Sequence, residues 1–216
     1  MNTSFLKYAL VLGLLSAIGP FAIDMYLPAL PSIGQSLDAS PHAVQASLMA
    51  FFISLGIGQL IYGPLSDMLG RKPALYFGLV FFAVSSVGCA LAPNIHVLII
   101  LRFLQGLGAS AGMVVPRAVV RDLHTGHDAA RLMSLLMLVF SVSPILAPLT
   151  GSLLIEWAGW HAVFWAVIGR TETQTLAYIG QGHETSSDAD VPDIHARTAP
   201  YQTELAGRER HLRSAA

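Results

Sequence analysis

Five apolar runs, each about as long as a bilayer-spanning helix, constrain this chain more than any other feature of its sequence. They occupy residues 5–27, 44–65, 74–92, 95–115 and 132–157. A helix needs about 20 mostly apolar residues to cross the hydrocarbon core. A sixth run covers only residues 160–169, and a helix of that length reaches about 15 Å, or half of that core. The pattern predicts an all-α, polytopic membrane domain over residues 1–168, with five complete spans and a partial sixth.

The charged residues separate this membrane domain from a polar tail. Only 12% of the chain is charged, against about 25% in an average soluble domain. Residues 1–168 carry thirteen of the charged side chains and residues 170–216 carry the other twelve. The tail shows no apolar periodicity, so we expect it to be disordered. Because the change falls inside an apolar run, we favour a frameshift or an early stop over an evolved linker as its origin.

Other classes of partner and site find little support in the composition. The net charge of −1 gives no indication of a nucleic-acid partner. The single cysteine, Cys89, excludes an intrachain disulfide and a cysteine-based metal cluster, and we interpret it as a small packing residue. No nucleophile, base or metal constellation is visible among the spans, so we expect neither an enzyme nor a metal site.

Basic residues are confined to alternate loops between the predicted spans. Arg71 and Lys72 lie between spans two and three, and Arg117, Arg121 and Arg131 lie between spans four and five. The loops at residues 28–43, 93–94 and 158–159 contain no Lys or Arg. The positive-inside rule therefore predicts a cytoplasmic N-terminus. The first run could instead be a signal peptide, which its length and the Asp24 within it disfavour.

Asp24 and Arg102 are the two clear cases of a charge inside the predicted spans, where a charge is costly and usually functional. Asp24 lies near the outer end of span one, and Arg102 lies about two turns inside the outer end of span four. We expect both at similar depth, in one cavity. One interpretation is an ion pair that only joins two helices. The other is a carboxyl group whose protonation is switched by water access or a bound cation, because burial and a nearby positive charge act on it in opposite directions.

Small residues and prolines mark spans four and five. Small residues let membrane helices approach closely, and generic packing is the simpler interpretation of those in span four. Span five also contains Pro144 and Pro148, followed by Gly151. Because proline removes a helix hydrogen bond, this pattern predicts a kinked helix at a moving interface.

The link between spans two and three is the most specific motif. An Asp three residues before a Gly, followed by two cations, stands in a short loop where Gly permits a tight reversal. The segment at residues 63–73 reads GPLSDMLGRKP. It resembles the corresponding loop of the major facilitator superfamily, with Met68 where a basic residue is common. Three further segments resemble that superfamily: the stretch from Leu98 through Arg102 to Ala109, the span-five segment at residues 143–152, and residues 24–31 with Arg121–Asp122 and residues 159–161. The last set is similar to the Bcr/CflA group of drug-resistance transporters.

This resemblance implies a fold and a mechanism. Such transporters have two six-helix halves and bind substrate between them near the midplane, alternating access to the two sides. The implied activity is proton-coupled export of hydrophobic or cationic drugs across a bacterial-type inner membrane, driven by the proton gradient without a cofactor. The implied partners are the lipid bilayer, a drug-like molecule, protons, and a C-terminal half to pack against.

The resemblance also assigns site residues. Asp24, Arg102 and Gln105 would belong to the proton or substrate cavity, and Pro144, Pro148 and Gly151 to an antiporter-like motif of span five. The inner gate would comprise Gly63, Asp67, Gly70, Arg71, Lys72, Arg121 and Asp122. The alternative function is a non-transporting membrane remnant, or a half-size module that packs or regulates.

Overall fold

The computed structural model describes residues 3–123 and 126–187, and all its regular structure is helical. The elements are α1 (Thr3–Ser16), α2 (Ile18–Asp24), a 3-10 turn (Leu27–Ala29), α3 (Leu30–Ser36), α4 (Pro41–Leu69), α5 (Arg71–Ala90), α6 (Ile95–Leu123), α7 (Gly126–Ala158) and α8 (His161–Ser187). Helices α4 to α7 are long and apolar enough to cross a membrane, and the bent segment formed by α1 and the helices after it makes a fifth candidate. The chain is therefore a multi-pass, all-α membrane protein, as predicted.

The first span is broken rather than continuous. The helix stops at Ser16, resumes at Ile18 and changes direction by 47°. Pro20 lies in the first turn of α2 and has no N–H to donate to the carbonyl of Ser16, so one hydrogen bond of the helix is missing where the direction changes. Beyond Asp24 the chain stays helical as far as Ser36. Most of the outer loop predicted for residues 28–43 is therefore structured.

Helix α6 is the centre of the bundle. It packs between α4 and α5 and also contacts α1, α2 and α7. Gly106 permits the close approach to α4, because a Cβ there would collide with the carbonyl oxygen of Phe51 and the hydroxyl of Ser54. A Cβ on Gly108 would come within 2.6 Å of the backbone nitrogen of Phe82 on α5. The small residues of span four thus serve the packing that lipid-embedded helices require.

The basic residues after span four lie on helices and not in a loop. Helix α6 continues past the apolar run through Arg117 and Arg121, and α7 begins before Arg131. A helix satisfies its own backbone hydrogen bonds, so it extends beyond the hydrocarbon core without a change in conformation. Apolarity marks where the chain meets lipid and does not mark where the helix ends.

Helix α8 also extends further than the sequence predicted. It passes through Gly169 and reaches Ser187, so residues 170–187 are helical rather than disordered. The hydroxyls of Thr171, Thr173 and Thr175 each donate to the carbonyl four residues earlier, at 2.8 Å. Thr171 and Gln174 are buried, so this polar stretch packs against the rest of the protein on one face. The remainder of the predicted tail, residues 188–216, lies outside the described residues.

Candidate functional site

Arg102 is the largest fully buried side chain of the protein's described part. It projects from α6 into the bundle and its side chain is 0% exposed. The guanidinium carbon lies 4.1 Å from the ring centroid of Tyr26 and 4.2 Å from that of Phe51. A cation over an aromatic face is attracted by the ring quadrupole, most strongly where water is excluded. The two rings therefore compensate part of the cost of burying this charge.

Gln105 supplies the hydrogen bond that orients the guanidinium. Nη1 of Arg102 donates to Oε1 of Gln105 across 2.7 Å. The amide nitrogen of Gln105 then donates to Oγ of Ser86 across 2.7 Å, and this hydroxyl donates to the carbonyl of Phe82. The chain of hydrogen bonds connects α6 to α5. It leaves Nε and Nη2 of Arg102 without a partner among the described residues.

Tyr26 is held over Arg102 by a second short chain of hydrogen bonds. The Oγ of Ser47 donates to the carbonyl of Val44 across 2.6 Å, so the Tyr26 hydroxyl donates to Ser47 across 2.6 Å. The ring of Phe164 on α8 lies 5.8 Å from that of Tyr26. We call Tyr26, Phe51, Phe164 and Gln105 the Arg102 cage. It draws side chains from four separate parts of the chain.

Asp24 does not pair with Arg102. Nη1 of Arg102 donates to Gln105, its Nε and Nη2 have no partner among the described residues, and Asp24 is partly exposed at the end of α2. Residues two apart on a helical backbone project in nearly opposite directions. Since Tyr26 points at Arg102, Asp24 is directed away from it. The interpretation of these two charges as an ion pair is therefore wrong, whereas their assignment to one cavity stays a prediction.

A second polar cluster joins the ends of α4, α5 and α6. Arg71, the first residue of α5, contacts Asp67 on α4 at 2.5 Å and Asp122 on α6 at 2.7 Å. Its Nη1 also donates to Oγ of Ser66 across 2.6 Å. Gly70 makes the reversal between α4 and α5 with a φ of 92°, a conformation that costs other residues free energy. The four side chains of Ser66, Asp67, Arg71 and Asp122 form what we call the Arg71 cluster.

The comparisons with known proteins decide the family. The sequence profile of the Major Facilitator Superfamily matches residues 12–169. The chain belongs to the major facilitator superfamily. It is 50% identical, over 74% of its length, to a Bacillus subtilis (strain 168) protein named uncharacterized MFS-type transporter YdgK. It is 36% identical to the bicyclomycin resistance protein homolog of Haemophilus influenzae over 74% of its length, and to multidrug resistance protein D of Escherichia coli (strain K12) over 72%.

The matched part is the N-terminal half of these superfamily members. The chain spans 40% of the length of the Bacillus and Haemophilus relatives and 39% of the Escherichia coli one. Its fold is similar to that of the proton:xylose symporter XylE, with a TM-score of 0.70 and 17% sequence identity over 85% of this chain and 45% of that one. The resemblance inferred from the motifs is thus confirmed, and the family's sequence match ends at residue 169, where the polar tail begins.

Of the residues assigned to the inner gate by resemblance to the superfamily, only some meet. Asp67, Arg71 and Asp122 are joined directly, and Gly70 makes the turn between them. Lys72 and Arg121 are exposed, and a Cβ on Gly63 would meet no atom within 4 Å. Ser66 also belongs to this network although it was not among the predicted gate residues; its signal in the sequence is the small residue directly before the motif Asp.

The antiporter-like residues lie on one continuous helix, α7, which runs through both Pro144 and Pro148. One face of α7 packs against the bundle. It carries small residues spaced one helical turn apart, and all three are buried: Ser143, Ala147 and Gly151. A Cβ on Gly151 would lie 2.6 Å from the carbonyl oxygen of Met25. Gly151 therefore lets α7 pack directly against the chain that follows α2, next to the residue that covers Arg102.

Cys89 is fully buried, as the packing interpretation predicted. Its Sγ lies 3.9 Å from Oε1 of Gln105, so it fills space behind the Arg102 cage. Tyr26 and Phe51, two of several aromatic residues that could line a cavity but on membrane helices more often face lipid or pack, cover the guanidinium. No spacing pattern in the sequence distinguishes them from the many other aromatic residues on these helices, because three helices bring them together.

Proposed function

We propose that this chain is the N-terminal half of an inner-membrane transporter that exports hydrophobic or cationic drugs in exchange for protons. The observation that carries the proposal is Arg102, a fully buried guanidinium with two donors unpartnered among the described residues. A purely structural buried charge is normally paired with a carboxylate. Here a neutral amide and aromatic rings surround it, which favours a functional charge. Relatives named for bicyclomycin, chloramphenicol and multidrug resistance support export of drugs.

Asp24 is the proposed proton carrier. A carboxylic acid inside a membrane bundle can be neutral or ionised, and the balance follows water access and nearby charge. In the ionised form Asp24 attracts a cationic drug, and protonation abolishes that attraction. Competition between a proton and a drug for one carboxylate would couple their opposite movements. Arg102 does not carry the proton, because a guanidinium keeps its own proton. Its fixed positive charge would instead set the electrostatic potential inside the bundle.

The Arg71 cluster is the proposed inner gate. Arg71 holds the ends of α4, α5 and α6 together through Asp67 and Asp122. These side chains are partly exposed, and exposed ion pairs contribute little free energy. A gate must open and close, so contacts of modest strength suit it. By the positive-inside rule this end and the N-terminus lie in the cytoplasm.

The proposed packing partner is a second six-helix half. Large apolar side chains are exposed along α4 and α7, among them Phe52, Ile57 and Leu60 on α4 and Ile145 and Leu149 on α7. In the superfamily the two halves face each other across the substrate site. The chain spans about two fifths of its relatives, so the other wall of the site would come from such a half. No nucleic acid, cofactor or enzymatic step enters the proposal.

Transport in vesicles tests this proposal. The chain is co-expressed with the C-terminal half of its Bacillus subtilis relative, and proton-driven ethidium uptake is measured in inverted membrane vesicles. We expect uptake that a protonophore abolishes and that Asp24→Asn reduces by at least about tenfold, as expected when a group essential to proton transfer is lost. Asp38→Asn is the matched control, because Asp38 is exposed and its positive φ suits Asn.

The outcomes separate the two functional classes. If the paired halves assemble and take up no ethidium, the chain is a packing or regulatory module and the transport proposal fails. If they take up ethidium and Asp24→Asn behaves like Asp38→Asn, transport stands and Asp24 is not the proton carrier. Arg102→Lys and Arg102→Gln complete the test. If both variants take up ethidium as fast as the unmodified halves, Arg102 has no role in the mechanism.

A further inference from the structure

A cleft of about 230 Å³ lies between the first span, α7 and Arg170 of α8. Its walls are mainly apolar, with Leu14 and Phe21 on one side and Val142 and Leu146 on the other. The polar side chains that line it are Ser143 of α7 and Arg170 of α8. Neither the Arg102 cage nor the Arg71 cluster contributes a residue to this cleft.

Both polar side chains carry buried atoms without a partner. Ser143 is 3% exposed, and its hydroxyl makes no hydrogen bond within the described part of the chain. The Nε of Arg170 is likewise buried and unpartnered among these residues. The guanidinium carbon of Arg170 stacks 3.8 Å from the ring centroid of Phe21. A buried polar group without a hydrogen bond costs free energy, so two at one cleft indicate a site that accepts a polar group.

The cleft lies at the middle of the spans. Phe21 follows the break within the bent first span, and Ser143 is near the midpoint of α7 (Gly126–Ala158). Arg170 is about 14 Å along α8 from its start at His161. A charge at this depth is costly unless it is paired, whichever way the bundle is oriented. Arg170 follows directly after the segment that matches the superfamily, so the family match assigns it no role.

We propose that this cleft binds a small amphiphilic carboxylic acid, with Arg170 pairing to the carboxylate and Ser143 donating a second hydrogen bond. A guanidinium and a hydroxyl supply N–H and O–H donors suited to a carboxylate, and charge-assisted bonds of this kind are the strong ones. The apolar walls accommodate an alkyl chain. The cleft is smaller than typical pockets for drug-sized ligands, which favours a medium-chain acid over a large drug. This site is independent of the transport proposal.

Binding of octanoate to the full chain in phosphatidylcholine nanodiscs tests the inference. We expect saturable binding above the signal of empty nanodiscs, and affinity for octanol and octyltrimethylammonium that is at least about tenfold weaker, because neither can pair with a guanidinium. Arg170→Gln should weaken octanoate binding by about tenfold or more. Arg170→Lys keeps the charge and should lose about fivefold or less, and Ser143→Ala should lose about two- to tenfold.

Arg131→Gln is the charge-matched control, since Arg131 is exposed on α7 and does not line the cleft. Its octanoate affinity should equal that of the unmodified chain. The proposal is overturned if octanol binds as tightly as octanoate, or if Arg170→Gln leaves the affinity unchanged. Should Arg170→Gln fail to fold by circular dichroism, unchanged affinity in Ser143→Ala would overturn it equally. Asp24→Asn should retain octanoate binding, which separates this site from the transport mechanism.

Discussion

Nε of Arg71 donates to Oδ2 of Asp122 across 2.7 Å, joining the first residue of α5 to the last turn of α6. The two residues are 51 positions apart in sequence. The same guanidinium contacts Ser66 and Asp67 at the end of α4. One partly buried arginine therefore connects three helix ends. The free energy that these contacts contribute can be measured.

A double-mutant cycle of Arg71→Ala and Asp122→Ala should give a coupling free energy of about 0.2–1 kcal/mol, because the pair is partly exposed. The free energy of unfolding is obtained from SDS titrations of the purified chain in detergent. The coupling should shrink as salt concentration rises, since ions screen exposed charges. A cycle of Lys72→Ala with Asp122→Ala is the control and should give a coupling near zero. Equal coupling free energies in both cycles would mean that only the net positive charge near Asp122 matters, and not the specific contact with Arg71.

Replacement of Gln105 by Leu should destabilise the bundle by about 2–4 kcal/mol, because it leaves the buried guanidinium of Arg102 without its hydrogen-bond acceptor. Gln105→Glu keeps an acceptor and should be better tolerated. Unfolding in SDS measures both variants. Gln45→Leu is the control, since Gln45 is exposed on α4, and should change stability by less than about 0.5 kcal/mol. A Gln105→Leu variant as stable as this control would contradict the role assigned to Gln105.

The contribution of Tyr26 can be divided between its hydroxyl and its ring. Tyr26→Phe removes the hydrogen bond to Ser47 and should cost about 1 kcal/mol. Tyr26→Leu also removes the aromatic face over Arg102 and should cost about 2 kcal/mol more, the value for a desolvated cation–π contact. The comparison is made in an Arg102→Met background as well. In that background the extra loss of stability of Tyr26→Leu over Tyr26→Phe should fall sharply. If that extra loss is unchanged, it comes from packing alone and not from the contact with Arg102.

Gly106→Ala should destabilise the chain by about 1–3 kcal/mol, because the added methyl group collides with the backbone of α4 at Phe51. Gly56→Ala is the matched control on the neighbouring helix, where an added Cβ would meet no atom within 4 Å. It should be neutral or slightly stabilising, since Ala is the better helix former. Thermal unfolding in detergent measures both, and similar losses would mean that close approach at Gly106 is unimportant.

Much of the architecture follows directly from the sequence, because lipid imposes a simple rule. A backbone in hydrocarbon must bond to itself, so apolar runs of sufficient length become helices. The five runs therefore predict the fold class, and the loop motif around Asp67 and Arg71, together with three further segments, predicts the family. The same rule misplaced the helix ends: α6 and α8 continue past their apolar runs, because apolarity reports contact with lipid and not backbone conformation.

The sequence by itself determined which residues are exceptional: a charge at Arg102, a carboxyl group at Asp24, and a basic turn at Arg71. Only the tertiary structure decided what each one touches. Arg102 is surrounded by Tyr26 and Phe51 rather than paired with Asp24, because residues two apart on a helix point in opposite directions and packing at Gly106 brings α4 against α6. Local pattern fixes a side chain's chemistry, whereas its partners depend on how distant helices approach.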